Sequence, residues 1–211
     1  MHKITFYCLP IIIEIDHEKL EVYMKFILAS GSPRRKALLT TLGVDIDLVS
    51  PSNILEERQE NESPLVYCQR LSKEKSTAQF FENSLILAAD TIVAKDNMVF
   101  EKPVDNADAM RILQTIQGTW HEVITAWSIY DTQSREMHSG HSISRVLFRS
   151  LSKKECSSYI RTGEGSDKAG AYGIQGLGAA LVSTIEGSYS NIVGLPIEQI
   201  VPILRKYNLL G

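Results

Sequence analysis

Apolar residues from Leu85 to Ala94 are interrupted only by Asp90 and Thr91, a run that predicts a strand buried on both faces. A shorter apolar run, Lys25 to Ala29, leads through Ser30-Gly31-Ser32-Pro33-Arg34-Arg35 into Lys36-Ala37-Leu38-Leu39-Thr40-Thr41-Leu42 and stops at Gly43. This pattern reads as strand, tight loop and helix. Ser32 is placed to cap, Pro33 suits the first helical position and Gly43 suits the stop. Pro51 to Glu62 is polar and acid-rich and reads as loop, after which Ser63-Pro64 opens a second helix expected to run to about Phe81. Met98 to Glu101 is a candidate short strand, and Asp105 begins a helix that ends at Gly118. Val123–Tyr130 and Ser142–Phe148 read as strands around a polar segment, Asp131 to His141, and Ser152 to Arg161 reads as a helix stopped by Gly163. Glycine recurs from Gly163 to Gly194, predicting alternating loops and short strands, and Pro196 then opens a terminal helix to about Tyr207. Strands alternating with helices give an α/β fold with a largely buried mixed sheet.

The first two dozen residues stand apart. Ile4 to Ile13 has the apolarity of a signal segment, but Glu14, Asp16, Glu18 and Glu21 follow at once and no small-residue cleavage site is present. The run is also far short of the roughly 20 residues needed to span a bilayer. Met24 offers a second start directly before the first strand, so residues 1–23 are expected to be an extension outside a functional domain of residues 24–211.

Composition narrows the function classes. In 211 residues, 44% hydrophobic, there is material for a proper core and no mark of disorder. A formal charge of −3 argues against a surface built for a nucleic-acid backbone, so any phosphate chemistry has to be local. The three cysteines, Cys8, Cys68 and Cys156, have no C-x-x-C spacing and support neither a zinc knuckle nor a disulfide framework. A reducing cytoplasm is the expected location, with no membrane partner.

Four features carry candidate chemistry. The turn from Ser30 to Arg35 brings two hydroxyls (Ser30, Ser32) and two guanidiniums (Arg34, Arg35) to a helix N-terminus, which already offers free N–H groups and partial positive charge. That is an anion cradle, although no G-x-x-x-x-G-K-[ST] loop exists in the chain. On the second helix, at about 100° per residue from Leu65, the apolar Cys68, Leu71 and Ala78 fall at about 300°, 240° and 220°, and Lys75 falls inside their arc at about 280°. An inward lysine has to meet a carboxylate, reach a phosphate or snorkel to water. Asp90, inside the apolar run, requires a cationic or metal partner. Glu56 in the acidic loop is a weaker candidate, with Glu57 beside it equivalent. Lys102 and Lys168 carry little alone, and His121, His138 and His141 lack the spacing of a zinc site.

Leu28 to Leu39, Ala88 to Val93, Asp167 to Gly178 and the stretch Glu186 to Pro196 resemble, in this order, the Maf nucleotide pyrophosphatases. The resemblance covers about residue 24 to the C-terminus. It implies a Maf/inosine-triphosphatase-like mixed sheet with flanking helices and two lobes around a cleft, a divalent cation such as Mg²⁺ or Mn²⁺, a nucleoside triphosphate substrate and a homodimer. Carried over residue by residue, Asp90 matches the catalytic acidic residue that accepts a proton, and Ser30, Ser32, Arg34 and Arg35 match the phosphate-binding loop. Glu56, Lys75, Lys102 and Gln175 match further cleft residues, with Asp90 and Glu56 the metal candidates and Glu57 an alternative to Glu56. Arg34, Thr91 and Gln175 align with positions tied to substrate choice.

Ala171-Tyr172-Gly173-Ile174-Gln175-Gly176 resembles the branch acting on dTTP and UTP. A glutamine amide both donates and accepts, which suits the alternating edge of uracil or thymine. The expected reaction is hydrolysis at the α-phosphate to the monophosphate and pyrophosphate, with water activated by Asp90 directly or through the metal. Such an activity would exclude modified nucleotides from nucleic acid or influence cell division. The rival expectations are a 7-methylguanosine triphosphate pyrophosphatase and a non-catalytic nucleotide-binding regulator of septum formation.

Overall fold

The computed structural model describes residues 23–210. The expected extension, residues 1–23, therefore lies outside the described residues except for Tyr23. A seven-stranded mixed sheet forms the frame: β1 (Lys25–Leu28), β2 (Leu48–Val49), β3 (Ser84–Lys95), β4 (Met98–Phe100), β5 (Trp120–Asp131), β6 (Met137–Phe148) and β7 (Val182–Glu186). Their order is β2-β1-β3-β5-β6-β7, with β4 also paired to β3. β1 runs parallel to β2 and β3, and every other pairing is antiparallel. The helices are α1 (Pro33–Thr41), α2 (Pro64–Thr77), α3 (Asn106–Ile116), α4 (Lys153–Ile160), α5 (Tyr189–Val193) and α6 (Ile197–Lys206). The α/β mixed sheet with flanking helices is thus as expected.

The two-residue period of β3 sorts its side chains between the layers. Leu85, Leu87 and Ala89 join Phe26, Leu28, Leu39, Leu195, Ile200 and Leu204 in a core under α1 and α6. Farther along the same face, Val93 joins the core that α3 and α4 make with Ile112, Leu113, Ile116 and Cys156. Ile92 and Ala94 point the other way, onto Tyr67, Cys68 and Leu71 of α2. Leu87 is fully buried in the middle of the strand, and truncating such a side chain to alanine costs about 2–5 kcal/mol. Two cores on one face, at opposite ends of β3, give the molecule its two lobes.

A notch in the sheet places the cleft between them. One edge of β3 is paired with β5 from Leu85 to Ala94. On its other edge, β1 ends opposite Leu87 and the antiparallel β4 ends opposite Val93. Residues 88–92 therefore face an open gap, and Asp90 and Thr91 stand in it.

Several elements differ from the pattern-based reading. α2 ends at Thr77 rather than near Phe81, because Phe80 lies 80% exposed past the helix and gives it nothing to bury against. β5 and β6 are longer than expected and meet across a short turn at 132–136; most of the polar segment from Asp131 to His141 is ladder, with Tyr130 opposite Met137 and Ala126 opposite His141. Polar side chains are tolerated there because that part of β6 is only partly covered. Two short elements were not foreseen: β2, and α5, whose N-cap Ser188 accepts from the Asn191 N–H. The 163–194 region holds two 3₁₀ turns, Ala169–Ala171 and Gly176–Leu181, before β7.

Candidate active site

Asp90 lies on the α2 face of β3, where Lys75 of α2 reaches it. Lys75 Nζ is 2.5 Å from Asp90 Oδ1 and 2.9 Å from Glu56 Oε1. The choice left open in the sequence is resolved in favour of a carboxylate partner. Asp90 is 6% and Lys75 9% exposed. Neither charge could be held there alone, since a buried ion without a partner costs several kcal/mol. Asp90 Oδ2 has no hydrogen-bond partner among the described residues and is not sealed from solvent, so one oxygen is fixed by Lys75 and the other is free toward the cleft. Cys68 lies behind it and donates its thiol to the Asp90 carbonyl at 3.3 Å; burial pushes that thiol's pKa up, so it stays a donor.

Thr91 faces the opposite side, where Arg35 of α1 is waiting. Arg35 Nη2 donates to Thr91 Oγ1 at 2.9 Å, Nη1 to Ser30 Oγ at 2.9 Å, and Nε to the Gly194 carbonyl at 2.8 Å. Thr91 Oγ1 also lies 2.9 Å from Thr125 Oγ1, which in turn bonds the Asn191 carbonyl. Burial pulls the Arg35 pKa down and the charge of Asp90 opposes that pull. Arg35 was expected to be a phosphate ligand. Three bonds from its guanidinium tie α1, β3 and the loop after α5 together, and one N–H on each of Nη1 and Nη2 is left over in a residue that lines the cleft. Arg34 remains the more available cation, engaged among the described residues by a 3.5 Å contact to the exposed Asp167.

The α1 N-terminus keeps its donors free. Ser32 occupies the N-cap but makes no side-chain cap bond, Pro33 has no N–H, and the first turn carries no acidic residue. The Ser32 N–H is taken by Ser30 Oγ at 3.3 Å and the Lys36 N–H by the Ser32 carbonyl at 3.3 Å, which leaves the Arg34 and Arg35 amides with no carbonyl one turn back to bond. The result is an unneutralised positive end aimed at the notch.

The cleft, about 520 Å³, is lined by every sequence-predicted site residue: Ser30, Ser32, Arg34, Arg35, Glu56, Lys75, Asp90, Thr91, Lys102 and Gln175. Glu57 is not among the lining residues, and its carbonyl accepts instead from Arg70 at 2.8 Å. Lys102 is exposed at the rim, without an ion-pair partner among the described residues. Gln175 is exposed on the far wall, at the end of the stretch from Asp167 to Gly173.

Sequence reasoning missed several lining groups. Lys168 was set aside as a surface lysine, yet it points into the wall, bonding Asp167 Oδ1 at 2.5 Å and the Glu164 carbonyl. Glu101 also lines the cleft and accepts from the Tyr67 hydroxyl at 2.8 Å. That hydroxyl lies 3.1 Å from the Glu56 carbonyl, which fastens the acidic loop to α2. Asn191 is not a lining residue but lies fully buried behind the cleft, bonding the Val123 carbonyl and Ser144 Oγ. The signal for it was present as a lone amide among Ile192, Val193 and Leu195.

A cleft that holds two carboxylates around a buried lysine, beside the open N-terminus of a helix and a rim of lysine and arginine, defines an α/β enzyme that handles phosphates. The chain belongs to the Maf family: the family model described as Maf-like protein matches residues 25–207. It is 41% identical over 190 residues to a dTTP/UTP pyrophosphatase of Aquifex aeolicus, covering 89% of this chain and 98% of that protein. Proteins of the same name from Vibrio cholerae (44% over 186 residues, 87% and 98% covered) and Syntrophomonas wolfei (46% over 181 residues, 85% and 95% covered) are similar to it. A solved HAM1 protein from Coxiella burnetii aligns with a TM-score of 0.48 at 11% identity, over 87% of this chain and 100% of that one.

Proposed function

We propose that this chain hydrolyses nucleoside triphosphates, dTTP and UTP foremost, at the α-phosphate to the monophosphate and pyrophosphate. The observation that carries the reading is the Lys75–Asp90 pair in the notch, and the names of its 40–46% identical relatives support it. In this reading a water oxygen forms the new bond to the α-phosphorus while the bond to the bridging oxygen of the β-phosphate breaks. Asp90 takes the water's proton on Oδ2, with Lys75 holding Oδ1 and so fixing the carboxylate plane. Arg34, Lys102 and the α1 N-terminus neutralise the departing pyrophosphate, with Ser30 and Ser32 as hydroxyl partners. Arg35 acts by holding Ser30 and Thr91 in place. Gln175 offers a donor and an acceptor to the pyrimidine edge.

A divalent cation, Mg²⁺ or Mn²⁺, fits this site only as an ion shared with the substrate. Among the described residues no three His, Cys, Asp or Glu side chains are grouped to hold a metal. Glu56 and Asp90, which both pair with Lys75, are the residues that would hold such an ion. Bound there, it would supply charge neutralisation on the phosphate oxygens. We further infer a homodimer, as the family resemblance implies, and a cytoplasmic location, as the cysteine spacing suggests. Among the described residues no helix is long and apolar enough to cross a membrane, and the net charge of −3 leaves no general affinity for nucleic acid.

Pyrophosphate release across dTTP, UTP, the purine triphosphates and 7-methylguanosine triphosphate, with Mg²⁺ or Mn²⁺, tests the reading. dTTP and UTP are expected to be cut fastest. Asp90→Asn is expected to keep its fold by circular dichroism and to lose about 10³-fold in kcat. Near-normal pyrophosphate release by that variant refutes the assignment, and nucleotide binding without release would favour a non-catalytic regulator.

A further inference from the structure

We infer that His121 is a positioning residue for substrate selection: it holds Tyr172, and through Tyr172 the stretch from Gly173 to Gln175 on the cleft wall. The inference rests on the reading of the cleft given above.

His121 belongs to β5 and is 2% exposed. It touches none of the phosphate-handling groups. Its Nε2 lies 2.9 Å from the hydroxyl of Tyr172, which is itself buried and lines the cleft. Burial lowers the histidine's pKa to about 4, so the ring is neutral at neutral pH, with one nitrogen a donor and the other an acceptor. Nδ1 has no hydrogen-bond partner among the described residues, so the ring's polar contact there is the one Nε2 makes with Tyr172. A neutral ring and a phenol each can donate or accept, and the 2.9 Å bond joins them in either tautomer. Burial also raises the tyrosine's pKa, so it keeps its proton.

The rings of His121, Phe148 and Tyr172 meet edge to face in all three pairs, with centroids 4.7–5.5 Å apart. Phe148 and His121 both come from the sheet, and Tyr172 is the one ring of the three that belongs to the wall. The wall needs such an anchor. Ala171, directly before Tyr172, holds φ +59°, a conformation disfavoured for a residue with a Cβ. Directly after it, the Gly173 N–H donates to the Tyr159 hydroxyl at 3.0 Å. Two phenolic hydroxyls, one from each side, thus fix the backbone that leads to Gln175. Gln175 itself is exposed and makes no cap bond, so its placement over the substrate depends on the segment behind it.

The test uses the full chain with Tyr172→Phe, His121→Phe, the double variant and His121→Gln, whose amide oxygen can accept from Tyr172. Hydrogen–deuterium exchange of residues 169–176 is measured alongside kcat and KM for dTTP, UTP and a purine triphosphate. Tyr172→Phe and His121→Phe are each expected to speed exchange in this stretch and to lower the preference for pyrimidine about tenfold, the loss of one hydrogen bond, mainly through KM. The double variant is expected to match either single, and His121→Gln to recover most of the preference. Additive effects of the two singles, or unchanged exchange and preference in Tyr172→Phe, overturn the inference. If the wild type releases no pyrophosphate the proposed function fails, while the exchange data in the same four variants still decide whether His121 and Tyr172 act as one anchor.

Discussion

Arg35 and Thr91 are separated by 56 positions in the chain and joined by one 2.9 Å bond from Nη2 to Oγ1. Because Thr91 follows Asp90 in β3, this bond sets the far side of the strand whose near side Lys75 sets. The notch is held from both faces of the sheet.

Arg35→Lys is accordingly expected to be far from conservative. An ammonium cannot reach Ser30, Thr91 and Gly194 together as a planar fork does. Ser30 and Thr91 would lose their common donor, and the α1 N-terminus would drift relative to Asp90. A misplacement near 1 Å costs about 10²-fold in rate, so kcat/KM for dTTP should fall about 10- to 100-fold. Steady-state kinetics beside a thermal melt would check this. Wild-type kinetics in Arg35→Lys would show that the network is not needed.

All ten expected site residues line one cleft; four of them carried a local contradiction that a site resolves, and Glu56, Lys102, Thr91 and Gln175 were reached through the family resemblance. Asp90 lay in an apolar run, Lys75 lay on an apolar helical arc, and two arginines sat at a helix start. The order of strands and helices was legible for a similar reason, since period and capping are local. That Arg35 rather than Arg34 ties α1 to β3 was not legible. It depends on which guanidinium meets Gly194, a partner 159 positions away. Lys168 and Glu101 were illegible too, since an exposed-looking charge in a loop acquires a role only from the wall it packs on. The extent of β6 was hidden by polar side chains on a strand that is only partly covered.

Gly178→Ala tests how tightly the wall is built. Its φ is not in the left-handed region, so backbone freedom is not the reason for glycine there. The reason is space: a Cβ at Gly178 would lie 1.9 Å from the Gly173 carbonyl oxygen. The backbone would have to part, breaking the bond from the Gly178 N–H to Glu164 at 2.7 Å or the one from Gly173 to Tyr159. We expect a loss of about 1–3 kcal/mol, a lower Tm by calorimetry, and a higher KM. An unchanged Tm and KM would mean that the segment is looser than it is drawn.

The His121 ring also makes an acid-stability prediction. Its pKa is about 4 in the folded chain against an ordinary 6.5. Between those values the unfolded chain binds a proton that the folded chain refuses, so stability falls as pH drops from about 6.5 toward 4 and is fully present above 6.5. The size is roughly 3 kcal/mol for this group, on the order of 1.4 kcal/mol per pKa unit. Urea melts of wild type and His121→Phe at pH 7.5 and pH 5 should show a smaller acid loss in the variant. Equal losses would mean that His121 titrates normally in the fold.

We propose that the functional domain begins at Met24, and the contacts of Tyr23 set the expected cost of starting there. Its hydroxyl donates to Asp47 at 2.9 Å and its carbonyl accepts from Asn83 Nδ2 at 2.7 Å, both on the exposed surface. Asp47 keeps a second and shorter bond, from the Phe26 N–H at 2.7 Å, which does not involve Tyr23. The register of β1 against β3 is likewise held without it, from Lys25 paired with Ser84 to Leu28 paired with Leu87. Loss of these Tyr23 contacts should therefore cost no more than about 1 kcal/mol, which lowers Tm by about 2–4 °C in a domain of this size. The kcat and KM for dTTP of a chain begun at Met24 should match those of the full chain, since the lining residues of the cleft among those described lie between Ala29 and Gly194. A chain begun at Met24 that folds but turns over slowly would assign residues 1–23 a part in catalysis and move the domain boundary to Met1.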